Sequence, residues 1–302
     1  WTFAKQEKFF DIVTYTGTGS ATTIPHNLGS VPGCIIVKPT STTGNWPVYH
    51  RGLTSSTYTT FLNLTNAESA SFIWNATDPT STEFSVGGAG QGANESGVEY
   101  VAYLFAHNDG DGGFGRNQDQ DIIKCGTYTG NGNYQGPLVS LGWEPQWVLI
   151  KEVNDVGNWF IFDTQRKLYY GGYDTTGGED GYLLPNSAGS DSAGSDLIDL
   201  NGDGFQPTYN GGDINTNGIT YMYIAVRNGP MAVPTTATEV FHIELISGTA
   251  TGGEEIYSPF PPDLLIEAQT AAANNKFWAS RHTGEYFYGG GHGPDYWKFD
   301  GQ

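Results

Sequence analysis

Thr14-Tyr15-Thr16-Gly17-Thr18-Gly19 returns as Thr127-Tyr128-Thr129-Gly130-Asn131-Gly132, and the displacement from residue 14 to residue 127, 113 positions, extends well beyond these six residues. It carries Leu28-Gly29 onto Leu141-Gly142, Pro32 onto Pro145, and Ile35-Ile36-Val37-Lys38 onto Val148-Leu149-Ile150-Lys151. Gly44-Asn45-Trp46 falls on Gly157-Asn158-Trp159, His26 on Val139 and His50 on Asp163. Beyond these, the displacement becomes 121, matching Phe84 with Phe205, Asn94 with Asn215, Gly97 with Gly218 and Tyr100 with Tyr221. Self-similarity at a fixed period marks one supersecondary unit used more than once.

The repeat divides the chain into a unit over residues 9–108, a Gly/Asp-rich linker over 109–120, and a second unit over 121–231. Residues 1–8 read as the end of a preceding unit, because Trp1-Thr2-Phe3-Ala4 resembles Tyr103-Leu104-Phe105-Ala106. Residues 232–302 read as a partial third unit. There Glu239 to Ile243 stands for the first strand, Leu264-Leu265-Ile266 for the central strand, and Trp278 takes the place of Trp46 and Trp159. With no secretory leader pattern at its start, the sequence reads as a window from a longer tandem array.

Within a unit, apolar residues alternate over short runs bounded by Gly, Pro, Asn and Ser. The first unit offers candidate strands at residues 9–16, 22–24, 33–40, 46–50, 58–64, 71–74, 83–86 and 98–106. Many short strands with closely spaced turn signals indicate an all-β fold of tandem antiparallel β-sandwich units, jelly-roll or lectin-like, of about 110 residues each. Helix-like composition occurs at Glu267 to Ala273, where the repeat places a loop.

The charge balance narrows the function. Asp and Glu number 32 against 13 Lys and Arg, for a formal net charge of -19. Such a surface repels phosphate, which excludes backbone-driven nucleic-acid binding and attachment to an anionic membrane. The apolar runs, of which Cys34-Ile35-Ile36-Val37 is typical, are too short to span a bilayer, so no membrane insertion is expected. Cys34 and Cys125 each lie in a strand-like run without nearby metal-ligand spacing, and read as buried thiols.

Four features together resemble a repeated domain of phage tail-fibre-like proteins: Tyr15 to Gly19, the turn and strand from Leu28 to Lys38, the Gly44-Asn45-Trp46 hairpin, and Asn94 to Tyr100. The resemblance weakens in the third unit, where Glu267 replaces the strand-end lysine and Lys276-Phe277 precedes Trp278. It implies a virion structural protein, part of a tail fibre or other appendage on the virion exterior. The implied partners are other copies of the chain, other virion proteins and host-surface polysaccharide. It supplies no catalytic residues and no cofactor, and a non-enzymatic role is expected. The alternatives are a glycan-binding module of a polysaccharide-degrading tail spike and a decoration protein on a capsid surface.

Adjacent carboxylates such as Glu254-Glu255 point to opposite faces of a strand and do not flank one bond. The six histidines lack zinc spacing. Aromatic rings pack on sugar C–H faces, so Trp74, Trp143, Trp297, Tyr286 and Tyr288, which the repeat does not constrain, are the candidate glycan contacts. Asp199, Asn201 and Asp203 have the alternate spacing of a calcium loop, but its twelfth position is Asn210 rather than Glu. A β-turn is therefore the preferred reading, and no metal is expected.

Overall fold

The computed structural model describes residues 2–115, 118–166, 180–192, 196–228, 241–243, 264–267 and 277–280. The chain forms two compact units, Trp1–Met231 and Ala232–Gln302. The larger opens with β1 (Phe10–Thr16), β2 (Thr22–Pro25), β3 (Pro32–Pro39), β4 (Pro47–His50), β5 (Tyr58–Phe61), β6 (Ser69–Ala70), β7 (Glu83–Val86) and β8 (Glu99–Ala106). It continues with β9 (Ile123–Thr129), β10 (Val139–Ser140), β11 (Pro145–Glu152), β12 (Trp159–Asp163), β13 (Tyr182–Leu183), β14 (Ile198–Asn201), β15 (Gly204–Pro207) and β16 (Thr220–Arg227). The fold is all-β and every strand pairing is antiparallel. Among the described residues, one helical turn, Gly212–Asn215, and a 3-10 turn, Thr164–Arg166, interrupt it.

Two large sheets have matching strand orders. One runs β1-β8-β3-β4-β5-β6, the other β9-β16-β11-β12-β13. Tyr15 pairs with Tyr100 as Tyr128 pairs with Tyr221, and the central strand bulges at the same place in each, between Pro32 and Cys34 and between Pro145 and Trp147. A small sheet, β2-β7 or β10-β15-β14, accompanies each large one. Here the structure adjusts the alignment: Val139 pairs with Phe205 as Ile24 pairs with Phe84, so Val139 takes the position of Ile24 and not that of His26.

The large sheets are covered on both sides. Val148, Ile150, Phe160, Tyr221 and Ala225 share one face of the second sheet and pack with Leu200 and Phe205 of its small sheet. The alternate residues, Cys125, Leu149, Trp159, Met222 and Ile224, join a core containing Cys34, Ile36 and Val48 of the first. Strand residues alternate between faces, so a strand sandwiched between two cores is apolar at nearly every position. This accounts for the unbroken Cys34-Ile35-Ile36-Val37 run in β3, all of it buried. Cross-seam hydrogen bonds add direction to this contact; among them, Trp159 Nε1–H donates to the Phe61 carbonyl (2.9 Å), the Glu68 N–H donates to the Val153 carbonyl (2.7 Å), and His50 Nε2 pairs with the Tyr223 carbonyl (3.1 Å).

Several local readings change. Residues 71–74 are not a strand; β6 ends before them and Ile73 to Ala76 form a turn. Thr2 to Lys5 are not in a strand either, and Phe3 packs edge-on against Phe9, Phe105 and Trp147. The Gly/Asp-rich segment is folded: Asp121 accepts the Gly110 and Gly112 N–H groups at 2.7 and 3.0 Å.

In the smaller unit, β17 (Leu264–Glu267) pairs antiparallel with β18 (Phe277–Ser280). By backbone register Trp278 pairs with Ile266 and Phe277 with Glu267, whereas Trp159 pairs with Lys151. By register, the counterpart of Trp159 is therefore Phe277, one residue before the expected Trp278. Residues 268–273 lie outside the described residues, and residues 241–243 are not in a strand.

Candidate functional site

The residues that recur most faithfully hold loops together. Asn94 is completely buried; its Oδ1 accepts the Thr18 N–H (2.8 Å), and its Nδ2 donates to the Ser20 and Gly87 carbonyls (both 2.7 Å). Asn215, also completely buried, accepts the Asn131 N–H (2.9 Å) and donates to Asn133 (2.7 Å) and Tyr209 (3.0 Å). The tyrosines flank these clamps. Tyr15 stacks on Tyr100 (5.1 Å) and donates to the Ala93 carbonyl (2.7 Å); Tyr128 stacks on Tyr221 (4.9 Å) and donates to that of Ile214 (2.7 Å). A Cβ on Gly17 would lie 2.1 Å from the Glu95 carbonyl oxygen, and one on Gly130 would lie 2.3 Å from that of Thr216. The Gly-Asn-Trp hairpins repeat the pattern, with Asn63 bridging Asn45 and the Trp46 N–H, and Asn186 bridging Asn158 and the Trp159 N–H.

His50 and Asp163 also share a local task. His50 Nδ1 accepts the Gly52 N–H (2.9 Å), as Asp163 Oδ1 accepts that of Gln165 (3.0 Å). Acceptance at Nδ1 places the proton on Nε2, which therefore donates to Tyr223. Burial holds the His50 pKa down at about 4.

The strand-end lysines diverge. Lys38 lies over the Trp46 ring at 5.6 Å, whereas Lys151 is completely buried and donates to the Glu152 carbonyl (2.8 Å). The Glu152 carboxylate accepts the Tyr221 hydroxyl (3.1 Å). Burial lowers the Lys151 pKa to about 8 and raises that of Glu152 to about 7. Both residues lie in the interior, remote from any solvent-borne substrate.

An open cleft of about 390 Å³ lies at the seam, lined by Arg51, His107 and Asp109 from the first half and by Lys124, Thr127 and Tyr223 from the second. The two halves approach closely beside it: a Cβ on Gly33 would lie 2.7 Å from Cys125, and one on Gly52, which lines the cleft, would lie 2.3 Å from Thr127 Cγ2. The cleft follows β9, an edge strand, where His107 Nδ1 accepts the Cys125 N–H (3.2 Å) and Asn108 pairs with Ile123. Burial, followed by the nearby Arg51 charge, lowers the His107 pKa. Sequence reasoning passed over this site, although its signal lay in the positions where the repeat fails.

The glycan candidates require correction. Trp74 is 2% exposed against Tyr49, and Trp143 is 6% exposed in the core of the second half, so neither presents a ring to a sugar. Trp297, Tyr286 and Tyr288 lie outside the described residues. Among the described residues the exposed aromatics are instead Phe72, Tyr134, Tyr209 and Phe241, and the two tyrosines form an edge-to-face pair at 6.4 Å. Asp199, Asn201 and Asp203 belong to the β14–β15 hairpin, in which Asn201 accepts the Asp203 N–H (2.9 Å) and Asp203 pairs with the Ser140 hydroxyl. Burial, then the neighbouring Asp196, raises the Asp199 pKa to about 7. Among the described residues there is no cluster of three or more His, Cys, Asp or Glu suited to a metal, and no helix long and apolar enough to cross a membrane.

No curated protein and no solved structure matches the chain. Over residues 2–230 its sequence fits the profile of one family, and the chain belongs to it: the family described as a domain of unknown function, DUF7483.

Proposed function

We propose that the chain is a non-enzymatic structural and adhesive component of a virion appendage, of the tail-fibre kind, built from tandem copies of one β-sandwich unit over residues 9–108 and 121–231. The observation that carries this reading is the engagement of the recurring residues. Tyr15, Asn94 and Tyr100, with Tyr128, Asn215 and Tyr221, are all committed to bonds inside the fold. A motif kept for chemistry leaves its polar atoms open to substrate; one kept for shape closes them on the backbone. The matching strand orders support the tandem reading, and a net charge of -19 suits an exterior surface that resists nonspecific association. The exposed Tyr134–Tyr209 pair, beside Asn133 and Asn210, favours glycan attachment as the adhesive activity.

Antibody labelling of purified particles tests the reading, together with competition by the purified chain for adsorption to host cells. Labelling of an appendage and reduced adsorption are expected. Absence of the chain from particles overturns the virion assignment, and depolymerase activity of the purified chain on host polysaccharide overturns the non-enzymatic one.

A further inference from the structure

The seam cleft is lined where the two halves stop matching. Arg51 stands opposite Thr164 in the repeat and His107 opposite Asn228; Lys124 replaces Asp11, Gly126 replaces Val13, and Tyr223 replaces Ala102. The last two changes are coupled. Gly126 and Tyr223 are cross-strand partners, and a Cβ on Gly126 would lie 2.5 Å from the Tyr223 hydroxyl oxygen. Loss of the valine side chain thus makes room for the tyrosine ring to cross the strand and bring its hydroxyl to the cleft.

The charge pattern is unusual for this chain. Only 13 of its residues are Lys or Arg, yet two of them line one cleft with a histidine. Among the described residues the ion pairs are Lys5–Asp11 and Arg166–Asp163, so neither Arg51 nor Lys124 has a carboxylate within 4.0 Å. Lys124 gives one hydrogen bond, to the Leu141 carbonyl (3.2 Å), leaving two ammonium donors. His107 accepts at Nδ1, so its Nε2–H is also a donor. Arginine, with its planar fork, suits a carboxylate, and two cations that line one cleft without an ion-pair partner favour an anion there. Asp109, lining the same wall, repels a bare anion but accepts hydroxyls. The cleft volume of about 390 Å³ falls at the small end of ligand sites and admits one or two sugar rings.

We propose that this cleft binds an acidic saccharide, with the carboxylate held by Arg51 and Lys124 and ring hydroxyls taken by Asp109, Thr127 and Tyr223. The saccharide identity rests on the attachment reading above; the anion preference rests on the cleft alone. The test is titration calorimetry of the intact chain with glucuronate and galacturonate oligosaccharides, their neutral counterparts and inorganic phosphate. Uronates are expected to bind, and neutral sugars at least tenfold more weakly. Arg51→Glu abolishes binding, and Tyr223→Phe weakens it severalfold, both with an unchanged melting temperature because Arg51 is exposed and the phenylalanine keeps the ring. Equal binding of neutral and acidic sugars overturns the charge assignment, and phosphate displacing the uronate at similar affinity overturns the saccharide assignment. Binding unaffected by Arg51→Glu, or no binding of any saccharide, overturns the site. Adsorption competition by the chain reports on the attachment reading independently of these outcomes.

Discussion

Replacing Asn94 with alanine removes one acceptor and two donors from a position with no solvent exposure. The Thr18 N–H and the Gly87 carbonyl then lose partners held at 2.7 to 2.8 Å, while the Ser20 carbonyl keeps its bond from the Thr18 hydroxyl (2.8 Å). A net hydrogen bond is worth about 1 kcal/mol and a buried group left unpaired costs roughly 1–3 kcal/mol, so with the buried Gly87 carbonyl unpaired and water reaching the exposed Thr18 and Ser20 the loss is about 2–4 kcal/mol. At roughly 2–4 °C per kcal/mol for a unit of this size, the melting temperature falls by about 4–16 °C. Urea and thermal denaturation followed by circular dichroism measure the loss. Asn94→Asp is at least as damaging, because it keeps the acceptor for Thr18 but turns a carboxylate oxygen toward two carbonyls. Asn215→Ala, with equivalent bonds, costs the same to within about 1 kcal/mol. A loss below about 1 kcal/mol at Asn94, or an Asn94→Asp protein as stable as the parent, refutes the clamp argument.

Four further outcomes follow from the same geometry. His50 is held neutral with a pKa near 4 against an ordinary 6.5, so its contribution is intact above pH 6.5 and lost as pH falls toward 4. The advantage of the parent over His50→Asn shrinks by about 3 kcal/mol across that window in denaturation profiles, whereas parallel profiles contradict it. Glu152 has the opposite sign: its raised pKa means the parent loses ground to Glu152→Gln as pH rises through about 7. Gly17→Ala forces a methyl group against a backbone carbonyl and destabilises by about 1–3 kcal/mol, as does Gly130→Ala. Cys34 and Cys125 are free and buried, with thiol pKa values pushed up by burial, so neither reacts with a thiol reagent until denaturant is added, when both do.

The repeat made the large sheets legible because strand alternation and turn glycines are local properties. β1, β3 and β8, with their counterparts β9, β11 and β16, lie within a residue or two of where apolar alternation places them. Burial of the two unmatched tryptophans was not legible. Trp74 lies in a turn and Trp143 in a loop, and nothing local fixes which way such a side chain faces. The second face of β3 was equally hidden, since a run apolar on both sides can be covered by any neighbour; here it is the other large sheet. The seam did leave a trace. Gly33 replaces the counterpart of Gln146, Gly52 that of Gln165, and Tyr223 that of Ala102. Matching residues mark the shared strand order of the two large sheets, whereas mismatched ones mark where those sheets meet and where the cleft opens.

The density of the intact particle around this chain decides between an appendage and any other place. Copies of the chain are expected on the particle exterior within an appendage, with both large sheets in the orders given above and the Arg51–Tyr223 cleft facing solvent. Density that places the chain in a capsid surface lattice, inside the particle, or nowhere on it overturns the proposed role.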